Sequence, residues 1–370
     1  MSYKLKLLFV NVFFLGCLTS FCSCEKSQNQ VPEPKIKAGI AKIRGKFDDP
    51  LSKGKQLMLS YRNPITAKLG NIKTKIESDG SFYFEALIEC DPCMGTFISS
   101  SHARGLPIML TSDKEMFFEL KSDSRGNLIC VDNVEIFDEG FKIAYDKFIN
   151  YMYDYKPLCE MTPEEYAEYE MKMLKIRSDN ALKGITISDD KRDFLLNEWK
   201  LQYLCSYLFG YKKRLEGFCK LNKIKDENWS AQEPNLSYYK FLKEFDLNNP
   251  QYFHNLFFAS TIQSLLSVET FNIPPISDTP VKEWLTIVKS SLSDLIGFES
   301  GQFYDILVAH AYSKQFIDLS NSAFIADVIK PLSDKQITNI KEYFGDGEIA
   351  KILLRKNKEI LKIYEEGKSK

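Results

Sequence analysis

The sequence predicts an α+β protein: an N-terminal antiparallel β-sandwich or partial barrel followed by an irregular all-helical domain. Between about Lys35 and Asn133, short runs alternate apolar and polar residues between turn-forming clusters, the period of half-buried strands. From residue 134 onward apolar residues recur at helical spacing instead. Size points the same way. The chain has 370 residues, and a 23-residue leader would leave 347, more than the roughly 250–300 that one core organises.

The leader comes first. Lys4 and Lys6 form a basic n-region and Leu5 to Leu15 an apolar h-region, followed by Cys17, Cys22 and Cys24. Asn11, Thr19 and Ser20 cut the apolar run short of the roughly 20 residues a bilayer span needs. A lipoprotein-processing site wants a small residue before the modified cysteine and an apolar one three positions before it. Phe21-Cys22-Ser23 supplies both ahead of Cys24, whereas Cys17 would leave apolar Leu18 to Phe21 after the anchor, and Cys22 has Phe21 directly before it. Residues 1–23 therefore read as a lipoprotein signal peptide, Cys24 as the lipidation site and residues 24–34 as a polar tether. Several acyl chains would hold the body firmly on a bacterial membrane, facing the periplasm or the exterior.

Residues 35–133 form the expected sandwich. Strand candidates are Gly39 to Phe47, Gln56 to Tyr61, Ile72 to Ile76, Phe82 to Ala86, Met94 to Ser99, Leu106 to Leu110, Met116 to Leu120 and Leu128 to Val131. Asp79-Gly80 between the third and fourth runs is a hairpin signal.

Residues 134–370 form the expected helical domain. Phe141, Ala144, Tyr145, Phe148, Met152 and Tyr155 make one stripe ending before Pro157. Thr162-Pro163-Glu164-Glu165 combines an N-cap, a first-turn proline and a capping-box glutamate, opening a helix to about Leu182. A helix from Ser188 carries Phe194, Trp199, Tyr203 and Leu208, and others are expected over 236–245, 250–266, 280–292 and 302–317. Pro274-Pro275 interrupts the series, Ser333 with Gln336 caps a helix to Phe344, and 348–364 is the last. No fixed-period repeat is visible.

Loss of the leader removes two lysines and no acid, taking the formal charge from −1 to −3, so no nucleic-acid surface is implied. Cys90-Asp91-Pro92-Cys93 is the one reactive spacing, a possible disulfide or redox pair. Strands on both sides leave no helix N-terminus to favour a thiolate, and Glu89 and Asp91 oppose one, so a loop disulfide or inert thiols is the preferred reading. Zinc would need two further ligands. Neither a metal nor a cofactor is expected, and no catalytic constellation is complete. His102 lies in a polar loop, while His254 and His310 read as core partners. Of the other cysteines, Cys130, Cys159, Cys205 and Cys219, most read as free and buried. Tyr151, Tyr153 and Tyr155, with His102, are candidate binding residues, because tyrosines suit interfaces; contacts between sandwich and helices are the competing use.

Three stretches carry a resemblance: Ile43-Arg44-Gly45-Lys46-Phe47; Ile76-Glu77-Ser78-Asp79-Gly80-Ser81-Phe82-Tyr83-Phe84; and Leu332 to Ile337 through Tyr343-Phe344 and Leu353 to Asn357. Together they resemble the non-catalytic front portion of TlpA/ResA-type thioredoxin-like envelope lipoproteins. No Trp-Cys-x-x-Cys is present, so the resemblance implies an accessory or binding portion without its thioredoxin enzyme. The expectation is a non-enzymatic envelope lipoprotein that binds or scaffolds, with the membrane and an envelope protein as partners. The alternatives are an accessory of thiol–disulfide exchange and a surface lipoprotein that captures glycans or peptides.

Overall fold

A computed structural model describes residues 31–49, 52–102, 105–124, 126–131, 137–151, 156–316 and 330–368. The strands are β1 (Lys35–Phe47), β2 (Gln56–Arg62), β3 (Leu69–Lys75), β4 (Ser81–Asp91), β5 (Cys93–Ser99), β6 (Leu106–Leu110), β7 (Met116–Ser122) and β8 (Leu128–Cys130). They form two four-stranded sheets, ordered β4-β1-β7-β8 and β3-β2-β5-β6. Alternation decides which side chains face inward: Ala41, Ile43 and Phe47 on β1 and Phe82, Phe84 and Ala86 on β4 are all buried. Phe97 of β5 meets Phe82, Phe84 and Phe118 of the other sheet at ring separations of 5.8, 5.8 and 5.4 Å. At Gly45 any Cβ would lie 2.3 Å from the Phe118 carbonyl oxygen, so only glycine lets β1 sit that close to β7.

Two expectations about this half are corrected. The β1–β7 pair is parallel, so the sandwich is not wholly antiparallel. The Asp79-Gly80 turn forms, with Gly80 at φ +87°, but it joins no hairpin. β3 pairs with β2 and β4 with β1, so the turn carries the chain from one sheet to the other. Turn chemistry is local, whereas pairing follows the longest matched alternation, and β1 offers β4 continuous register from Lys46↔Ser81 to Gly39↔Ile88. Phe47 N–H then donates to the Gly80 carbonyl at 2.8 Å, docking the turn on the end of β1.

The helices are α1 (Glu139–Ile149), α2 (Pro163–Leu182), α3 (Asp189–Tyr203), α4 (Tyr211–Leu221), α5 (Phe258–Leu265), α6 (Val281–Ile296), α7 (Gln302–Ser313), α8 (Asp334–Phe344) and α9 (Glu348–Lys368). Capping boxes start α2, through Thr162 and Glu165, and α8, through Ser333 and Gln336. α1 ends at Ile149, short of the expected stripe, whose Met152 and Tyr155 lie outside the described residues. α3 runs on into a π-helical turn, Leu204–Leu208. The helix expected over 250–266 is two pieces, a 3₁₀ helix Pro250–His254 and α5, because Asn255 adopts extended backbone and its side chain accepts the Phe257 N–H. The 236–245 segment is also 3₁₀. The expected 302–317 helix stops at Ser313 and closes with a 3₁₀ turn, Lys314–Phe316.

Sheets and helices share one contiguous apolar core. The Pro250–His254 turn packs on β1, β4 and β5, and α9 packs on β1. Among the described residues no helix is long and apolar enough to cross a membrane.

Candidate functional site

The Cys90–Cys93 motif forms the corner between the sheets: Cys90 and Asp91 are the last two residues of β4, a cis Asp91–Pro92 bond follows, and Cys93 opens β5. Both thiols are free and fully buried. Cys90 donates to the Phe253 carbonyl at 3.3 Å, tying the corner to the 3₁₀ helix above it. Burial, followed by the hydrogen bond and charge of Cys93, pushes the Cys90 thiol well above its ordinary pKa, the opposite of an attacking thiolate. Asp91 accepts from the Thr111 hydroxyl at 2.7 Å and from both the N–H and hydroxyl of Ser112, at 3.0 and 2.5 Å. The aspartate holds the corner.

Glu89, the preceding residue, is buried beneath the β2–β3 connection. Its carboxyl accepts from Ile65 N–H (3.1 Å), Thr66 N–H (2.8 Å) and the Thr66 hydroxyl (2.6 Å). Desolvation raises its pKa against these hydrogen bonds. From the helical side His310 Nε2 meets the Pro64 carbonyl at 2.6 Å and the Ser313 hydroxyl donates to Ile65 O at 3.3 Å. The loop is clamped from both layers.

His102 is half-buried, not solvated in a free loop. Its Nε2 lies 2.9 Å from Ser122 Oγ, and Ser122 donates to Asp49 Oδ2 at 3.1 Å. A hydroxyl has one proton, so donation to Asp49 requires Nε2–H to donate to Ser122. The relay runs His–Ser–Asp, and the imidazole does not take the serine proton as a nucleophile's base must. Sequence reasoning missed this group because Asp49 and Ser122 lie 73 positions apart.

Tyr151 is half-buried against the core. Tyr153 and Tyr155, like Cys24, lie outside the described residues. The neighbouring aromatics pack helix on helix instead of lining the sandwich: Phe148 stacks on Trp199 at 4.4 Å and Tyr166 meets Tyr211 at 4.8 Å, while Tyr203 stacks on Tyr207 at 4.1 Å one turn along the same helix. Arg177 threads this cluster, donating to Phe148 O at 2.7 Å and to the Tyr207 hydroxyl at 2.9 Å.

Exposed aromatic surface lies on the sheet. Arg44 pairs in register with Tyr83 on one side and Phe117 on the other, making a row across β4, β1 and β7. Phe117 is 56% and Tyr83 40% exposed, and the Arg44 guanidinium lies 5.6 Å from the Tyr83 ring centre while donating to Glu115 at 2.7 Å. Its signal in the sequence was the out-facing phase of strands already identified.

Glu198 and His254 are buried titratable groups of the helical half. Glu198 is held by the Asn255 amide at 2.5 Å, and burial raises its pKa to about 8. His254 stacks on Phe194, and burial lowers its pKa to about 3. Among the described residues no group of three or more His, Cys, Asp or Glu could hold a metal.

Contrary to the expectation of free cysteines, Cys159 and Cys219 are disulfide-bonded, with Cα atoms 6.1 Å apart. The bond ties the 3₁₀ turn Lys156–Glu160 to α4. Comparison with protein families, with curated proteins and with solved structures finds no match.

Proposed function

We propose that the protein is a bacterial envelope lipoprotein whose body binds or scaffolds and does not catalyse. The observation that carries this reading is the Cys159–Cys219 disulfide, taken with the leader and Cys24. Disulfides persist in oxidising compartments and are rare in the cytosol, so the bond supports export. The buried, protonated Cys90 beside Cys93 supports a structural corner over the alternative of a thiol–disulfide accessory, as does the Phe253 carbonyl that accepts from Cys90. The likeness to the front portion of TlpA/ResA-type lipoproteins belongs to the same proposal. Metabolic labelling with a fatty-acid analogue tests it: the wild type takes up label in the membrane fraction and Cys24→Ala does not. Equal absence of label from both, with both in the cytosol, refutes it.

A second reading, capture of glycans or peptides at the surface, is favoured by the Tyr83–Arg44–Phe117 row. Exposed rings flanking a guanidinium offer stacking faces and donors together. Binding screens in which Phe117→Ala and the wild type behave alike count against it.

A further inference from the structure

A cavity of about 330 Å³ opens in the helical half, walled by Ile273, Pro274, Pro275, Ile276 and Ala311. Trp284 lines it with its indole N–H already donated to the Pro274 carbonyl at 2.8 Å, so the ring is held in place and brings no free donor. The lining amides are engaged with one another and with the wall: Gln315 Nε2 donates to Gln336 Oε1 at 3.2 Å, and Gln336 Nε2 to Ser277 O at 3.1 Å. Among the described residues lining the cavity, Lys314 is the one that carries a charge.

One wall is strained. Ser277 sits at φ +42°, a left-handed conformation that is unfavourable for a non-glycine residue and persists only where the surroundings impose it. α8 imposes it. Besides Gln336 on Ser277, Asn339 Nδ2 donates to Asp278 O and Thr279 O at 3.2 and 3.1 Å, and the Ser333 hydroxyl donates to the Asp278 carboxylate at 2.6 Å. Pockets that hold small organic ligands are mostly apolar, largely preformed and about 300–1,000 Å³, with few polar groups to fix orientation. This cavity has that size, a rigid wall and, among its described lining residues, a single cation.

We propose that this cavity binds a small organic monoanion, a carboxylate on an apolar body of about ten non-hydrogen atoms. The size follows from a volume near that of eleven waters at about 30 Å³ each. The apolar walls would take the body and Lys314 the carboxylate. The site is independent of acylation, so labelling at Cys24 can succeed or fail without deciding it. Isothermal titration calorimetry of the full mature chain with phenylacetate and with phenylacetamide, equal in size and differing in charge, tests the assignment. The acid is expected to bind about tenfold tighter than the amide, Lys314→Gln to abolish that preference, and Ala311→Phe to remove binding of both. Absence of binding, equal binding of acid and amide, a preference that survives Lys314→Gln, or binding retained in Ala311→Phe overturns it. Lys314 is exposed, so its variant decides the matter even where the cavity-filling variant fails to fold.

Discussion

His310 Nε2 and the Pro64 carbonyl oxygen stand 2.6 Å apart across 246 residues of chain, joining α7 to the loop between β2 and β3. A carbonyl only accepts, so Nε2 carries the proton and Nδ1, buried without a partner, is bare. Burial lowers the His310 pKa to about 4 from an ordinary value near 6.5. The unfolded chain therefore takes up protons before the folded one does as pH falls. Stability is intact above about pH 6.5 and is lost as pH falls toward 4, with His254, lowered to about 3, extending the loss. His310→Gln keeps a donor for Pro64 and does not titrate. Urea midpoints measured at pH 7.5 and 4.5 should fall less for the variant than for the wild type, and parallel falls would exclude this linkage.

Glu89 closes the same loop from below. Glu89→Ala leaves the Ile65 and Thr66 N–H groups without their acceptor in a buried setting, so it should cost about 3 kcal/mol or more. Urea denaturation measures this directly; a cost under about 1 kcal/mol would show that water or a shifted loop replaces the carboxyl.

Glu198 predicts the opposite pH slope to His310. Its folded pKa, about 8, lies above its ordinary 4.5, so its contribution is full below about pH 4.5 and lost as pH rises through 8. Glu198→Gln retains an acceptor for Asn255 and removes the charge. The variant should be more stable than the wild type at pH 8.5, with the gap closing toward pH 5; thermal melts at both values check the sign.

The Cys159–Cys219 bond closes a loop with a sequence separation of 60, for which chain entropy predicts a stabilisation of about 4 kcal/mol. The double Cys159→Ala, Cys219→Ala variant should lose about that much, and reductant should lower the melting temperature of the wild type but not of the variant. Equal responses to reductant would place the sensitivity elsewhere.

Much of the fold is legible from neighbours in the chain. Strand candidates overlap each of β1 to β8 because alternation is a local pattern, and the starts of α2 and α8 follow from capping boxes built within four residues. α4 escaped because only Tyr211, Leu215 and Cys219 are buried along it, a stripe one residue wide among lysines and one glycine. The site was less legible. Of the candidate residues, Cys90 and Cys93 lie in the corner between the sheets and His102 joins a relay with Ser122 and Asp49, contacts that depend on strands far apart in sequence.

What the sequence determined by itself is the positions of the strands and of most helices, with the caps that start α2 and α8, since each is set by residues a few positions apart. Only the tertiary structure decided that β1 lies between β4 and β7, that the Asp79-Gly80 turn crosses between sheets, that Cys159 reaches Cys219, and that Pro274, Trp284 and Ala311 wall one cavity. Partner choice in a packed chain is settled by competing burial over long separations, and no short window of sequence contains both sides of that competition.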